Sequence, residues 1–104
     1  MVKVSLGCVL ENKYMNKIKA FNKNHDCTYN HLFGLALKDF LKTYDKNKKL
    51  VLKEANFVRI ETQYYNFLLP LEEREIIRTI SKEQKIFQSY LAREIIIGYL
   101  KNNQ

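Results

Sequence analysis

His25, Asp26, Cys27 and His31 form the one close grouping of metal-ligand residue types in the sequence. Cys27 and His31 are a helical turn apart. A structural zinc site needs four ligands, normally with a Cys-x-x-Cys or His-x-x-x-His arm, and here the fourth ligand would have to be Asp26 or Cys8. The grouping reads as an ordinary polar turn, and neither a metal nor another cofactor is expected. Serine, histidine and aspartate occur without the strand-turn-helix setting of a nucleophile elbow. Three glycines build no phosphate-cradling loop. Glu72, Glu73 and Glu75 stand where a helix should begin, and acidic side chains there favour the helix dipole. That is a capping role, so no enzymatic activity is expected.

Charge points elsewhere. The 104 residues carry a net +7, and its distribution is uneven. Residues 1–53 hold eleven lysines against Glu11, Asp26, Asp39 and Asp45, a net +7. Residues 54–104 balance seven basic residues against seven glutamates. Such polarity suits a polyanion-facing half joined to a half that packs or pairs. The lysines at 13, 17, 19 and 23 could meet phosphates, though each alone reads as solvated; Lys46, Lys48 and Lys49 form a denser cluster. Two cysteines with no paired spacing fit a reducing compartment, and no secretory leader or long apolar run is visible. A cytoplasmic protein with no membrane contact is expected.

The elements that would position these residues follow from periodicity. Val2, Val4, Leu6, Cys8 and Leu10 alternate with Lys3, Ser5, Gly7 and Val9, the period of a strand with one buried face. Gly7 weakens that strand and marks a close approach of backbone. From Glu11 to about Asn24, Tyr14, Met15, Ile18 and Phe21 recur at helical spacing with lysines around them. A second helix should run from Tyr29 to Tyr44, capped by Asp26 or Thr28, and buried on several sides by its many aliphatics. Residues 46–49 read as a linker. Residues 50–69 are rich in β-formers, with one or two strands expected. Pro70 fits the first turn of a helix, and Ser81-Lys82-Glu83-Gln84 has capping-box spacing for a last one. The expectation is one domain over 1–104, α+β and mostly helical, with a basic strand-helix-helix over 1–45 and a β-rich segment plus two helices over 50–104.

Both halves pass from β-rich sequence through a shorter helix into an aliphatic one. They end alike, at Lys38-Asp39-Phe40-Leu41 and Ile97-Gly98-Tyr99-Leu100. A weak internal duplication would leave such a pattern. Against it, Phe87 falls where a second copy should carry a capping Ser or Thr.

The segment from Val2 to Leu41 resembles the ribbon-helix-helix family of bacterial, phage and plasmid DNA-binding proteins. The likeness rests on the alternating strand ending at Leu10, the apolar positions Tyr14, Met15, Ile18 and Phe21, and Thr28 at a helix cap. It continues through Leu32-Phe33-x-x-Ala36-Leu37-x-x-Phe40-Leu41. The resemblance implies a homodimer in which strands from two subunits pair antiparallel and enter the major groove of double-stranded DNA. Lys3, Ser5, Gly7 and Val9 would then face the bases, and the helix start near Thr28, Tyr29 and Asn30 would hold a phosphate. Gly7 and Val9 depart from the pattern because neither can make a bidentate base contact. The glycine usual between the helices is also missing, unless Asn24 or Asp26 takes the left-handed conformation in its place. In a duplicated chain, Tyr64 and Asn66 would join the outer face.

A winged helix is the alternative. Residues 50–67 would form a two-stranded wing after a recognition helix at 29–44, with Arg59, Gln63, Tyr64 and Asn66 reading the groove. Either fold implies a transcriptional repressor or a plasmid or phage maintenance factor for partition or transfer. A different class is a small phage-type inhibitor that sets its basic face against a host nucleic-acid enzyme. A partner protein could dock through residues 71–100.

Overall fold

In a computed structural model, which describes residues 2–103, the alternating N-terminal segment forms strand β1 (Lys3–Glu11). Its inward side chains Leu6, Cys8 and Leu10 are buried. Helix α1 (Asn12–His25) and helix α2 (Tyr29–Leu41) follow, then a long irregular connector, strand β2 (Thr62–Pro70), helix α3 (Leu71–Gln84) and helix α4 (Gln88–Asn102). The two strands pair antiparallel from Lys3↔Pro70 to Glu11↔Thr62. This is the mostly helical α+β class, with the order strand-helix-helix occurring twice.

The repetition is metrical. Lys3 and Thr62, Asn12 and Leu71, and Tyr29 and Gln88 open corresponding elements, and the interval along the chain is the same in every pair. Local detail keeps that interval. Asp26 and Cys27 both donate their N–H to the Asn22 carbonyl, while Lys85 and Ile86 both donate to that of Ser81. Asp26 (φ 51°) and Lys85 (φ 56°) are left-handed, a conformation that usually falls to glycine at a helix end. Asp26 therefore takes the role of the missing interhelical glycine. Asn12 N–H bonds the Glu61 carbonyl at 2.7 Å, and Leu71 N–H bonds that of Val2 at 3.2 Å. The two halves are thus related by a pseudo-two-fold axis through the Gly7↔Asn66 pair, whose members stand at the same interval.

One core serves both halves. Leu6, Cys8, Leu10, Phe67 and Leu69 from the ribbon's inner face lie on α2 and α4, where Phe33, Leu37, Leu91 and Ile96 are fully buried. Tyr14, Met15 and Ile18 of α1 and Ile77 and Ile80 of α3 close the sides. Burying a large aliphatic or aromatic side chain stabilises the fold by about 1.5–3 kcal/mol relative to exposure. Separating the halves would expose both inner faces. The strand pairing that the resemblance would draw from two subunits is made here within one chain.

Four sequence expectations are corrected. The linker is longer than 46–49: no helix or strand occurs over residues 42–61. Its β-formers Val51, Val58 and Ile60 are exposed because no neighbouring strand offers them a ladder. With β2 paired to β1, the two-stranded wing over 50–67 is absent from the described residues. Ser81 does not cap a helix; it is buried in α3 and its hydroxyl donates to the Ile86 carbonyl, closing the turn into α4.

Candidate nucleic-acid interface

The ribbon's outer face is open over its Lys3 end and centre, and α4 approaches it at the Val9–Glu11 end. Alternation puts Lys3, Ser5, Gly7, Val9 and Glu11 of β1 there with Thr62, Tyr64, Asn66, Leu68 and Pro70 of β2. Lys3, Ser5, Tyr64, Asn66 and Leu68 are exposed. Gly7 is explained by Tyr64, whose phenol ring lies diagonally across it. A methyl group at Gly7 would overlap that ring. With the ring in this place, a bare backbone beneath it lets the phenol pack down on the strand.

Beside the Lys3 end of the ribbon lies an open cleft of about 440 Å³ reaching the start of α2. Thr28 caps that helix by accepting the His31 N–H at 3.2 Å. The first-turn amides of a helix lack intrahelical acceptors, and with the helix dipole they favour an anion. Lys3 and Lys38 line the cleft as cations, and Glu73 lines it as an anion. The Asn30 side chain is engaged beside that helix start: its Oδ1 accepts the Leu68 N–H at 2.9 Å and clasps the ribbon edge. Tyr29 is half-buried, with its ring 5.9 Å from that of Tyr65. On the other edge Arg74 Nε donates to the Ser5 carbonyl at 3.1 Å, a cation beside the ribbon that periodicity did not single out.

The remaining site candidates are scattered. Arg59 lies in the connector, 5.6 Å over the Phe57 ring. Gln63 pairs with Leu10 and so alternates to the face opposite Tyr64 and Asn66. Lys46, Lys48 and Lys49 are exposed in the connector. The Lys48 carbonyl there accepts from Gln84 Nε2 at the end of α3. Of the polar candidates, Lys3, Ser5, Tyr64 and Asn66 share the ribbon's outer face, together with Gly7 and Val9. The polar turn is similarly divided: His25 stacks on Phe21 at 4.0 Å, and the Cys27 thiol donates to Asn22 Oδ1. Among the described residues, no three His, Cys, Asp or Glu side chains converge as metal ligands, and no helix is long and apolar enough to cross a membrane.

Arg93 is the functional-looking residue the sequence hid. It stands in the aliphatic run of α4, almost fully buried, and grips the Glu11 carboxylate with Nη1 at 2.5 Å and Nη2 at 3.0 Å. Nε donates to the Glu54 carbonyl and Nη1 to that of Val9. The Phe57 ring centroid is 3.7 Å from the guanidinium. The hydrogen bond from Arg93 holds the Glu11 carboxyl below its ordinary range. A lone arginine within an apolar helical pattern was the available signal. No family model, curated protein or solved structure matches this chain.

Proposed function

We propose that this protein binds double-stranded DNA as a single-chain counterpart of a ribbon-helix-helix dimer. It would act as a transcriptional repressor or as a plasmid or phage partition or transfer factor. The observation that carries the reading is the two-stranded antiparallel ribbon, centred on a pseudo-two-fold axis, whose outer face exposes Lys3, Ser5, Tyr64, Asn66 and Leu68. A two-stranded ribbon fits the major groove and presents alternate side chains to base edges. Asn66 at the centre can address adenine, while Lys3, Ser5 and Tyr64 supply further polar contacts. The net +7 supplies sequence-independent attraction to phosphate.

Fluorescence anisotropy with labelled duplexes over a salt series tests it. Affinity should fall steeply with salt, and Lys3→Ala should lower the slope by about one unit of log K per log salt. Asn66→Ala should cost about 1–3 kcal/mol of discrimination between the preferred and a mismatched base pair. Absence of any duplex binding at low salt would overturn the reading.

The inhibitor reading gains from the aliphatic content of the same face, where Val9 and Leu68 offer no hydrogen bond and Leu68 is 47% exposed. Under that reading the chain would co-purify with a host nucleic-acid enzyme and shift no DNA.

A further inference from the structure

The pseudo-two-fold axis relates positions that differ in chemistry. On the outer face Lys3 corresponds to Thr62, Ser5 to Tyr64 and Glu11 to Pro70; only Val9 and Leu68 are alike in kind. Beneath that face Gly34 corresponds to Arg93, and the capping Thr28 corresponds to Phe87, which forms no side-chain cap and is 73% exposed. The surroundings follow suit. At the Lys3 end the cleft beside α2 is open, with Lys3, Lys38 and the Glu73 carboxylate on its walls and Arg74 on the opposite ribbon edge. At the Tyr64 end the corresponding space, bounded by Val9, Ser89 and Tyr90, is entered by the connector. Phe57 and Arg59 line it there, and about 190 Å³ remains. The buried cation at that end, Arg93, is neutralised by Glu11.

We propose that the protein reads an asymmetric duplex site in a single orientation, with backbone anchoring concentrated at the Lys3 end. This deepens the DNA-binding reading and rests on it. Operator palindromes mirror the two-fold symmetry of the protein that binds them. Where corresponding side chains are an ammonium and a threonine hydroxyl, or a serine and a phenol, the bases they favour differ. Phosphate contacts fix orientation on the duplex while base contacts fix sequence. An open cleft whose two lysines outnumber its one glutamate at one end, and a connector-filled space at the other, therefore set the polarity. The connector is the cause, because it joins the two halves and fills the space beside one of them only.

The test is selection of bound duplexes from a randomised library with the full chain, followed by phosphate-ethylation interference on the enriched sequence. The expected result is a consensus without dyad symmetry and interfering phosphates clustered on one flank. Lys3→Ala, an exposed substitution, should weaken binding several-fold and thin the interference on that flank alone. A palindromic consensus with interference on both flanks would overturn the asymmetry and leave DNA binding intact. Binding without any consensus would also overturn it. No retained duplex at low salt would overturn both this inference and the reading beneath it.

Discussion

The ring of Tyr64 lies across Gly7 on the outer face of the ribbon, so the smallest residue of β1 and an aromatic residue of β2 form one packed unit. Gly7→Ala should push the ring outward rather than break the strands, because the contact is made by the ring's far end and Tyr64 is 65% exposed. Cross-strand pairs contribute roughly 0.2–1 kcal/mol, so thermal melting should shift little. In the proposed duplex-binding mode, affinity should fall more than stability, since the displaced ring would stand on the side the groove floor approaches. Paired melting and anisotropy measurements on Gly7→Ala check this; a large drop in melting temperature would contradict it.

Glu11→Gln should be among the most destabilising polar substitutions. It leaves Arg93 buried without its counter-charge, and breaking such a pair typically costs about 3–5 kcal/mol. Hydrogen bonds from Arg93 to the Val9 and Glu54 carbonyls soften this toward the lower end. The pair also sets an acid response. The folded-state pKa of Glu11 lies below the unfolded value, which for glutamate is about 4.3. The stabilisation is therefore complete above the unfolded value and disappears as pH falls through the folded one. Urea titrations from neutral pH down to strongly acidic pH should show the wild type losing its advantage over Glu11→Gln only on the acid side of about pH 4.3.

The cysteines should differ sharply in reactivity. Burial pushes the Cys8 thiol up to about 12, and its side chain is fully enclosed under the ribbon. The thiolate is the reactive form, so Cys8 should label only at the rate of global unfolding. Cys27 is also raised, chiefly by burial and then by the Asp26 charge, but it is only half-buried. Labelling with a disulfide reagent at neutral pH should modify Cys27 slowly and leave Cys8 intact until denaturant is added. Mass spectrometry of the labelled chain distinguishes them.

Much of the first half was legible because its signals are local. The alternation of β1, the helical spacing of α1 and the Thr28 cap each concern residues close together in sequence. The second half obscured the same elements. Lys85 makes a left-handed turn that glycine would have announced, and Phe87 holds a cap position without a capping group. Ser81 mimicked a helix start while serving a helix end. The connector misled in the opposite direction: Val51, Val58 and Ile60 have strand propensity, but propensity forms a strand only where a neighbour completes the ladder. Of the candidate site, residue types on the ribbon were readable by parity. The roles of Arg93 and Phe57 were not, because they depend on contacts between residues far apart in sequence, such as Arg93 with Glu11.

The constant interval between corresponding positions of the two halves also bears on how the protein is used and how it evolves. A ribbon made from two chains dissolves on dilution, so its occupancy of a target varies with the square of subunit concentration when dimers are scarce. Here both strands belong to one polypeptide, and ribbon formation is unimolecular. Occupancy of the proposed duplex site by single chains should then follow a simple hyperbola down to a few copies per cell. In a two-chain ribbon every mutation appears twice and alters both half-sites together. In this chain a change at Ser5 leaves Tyr64 untouched, so each end of the ribbon can be selected on its own.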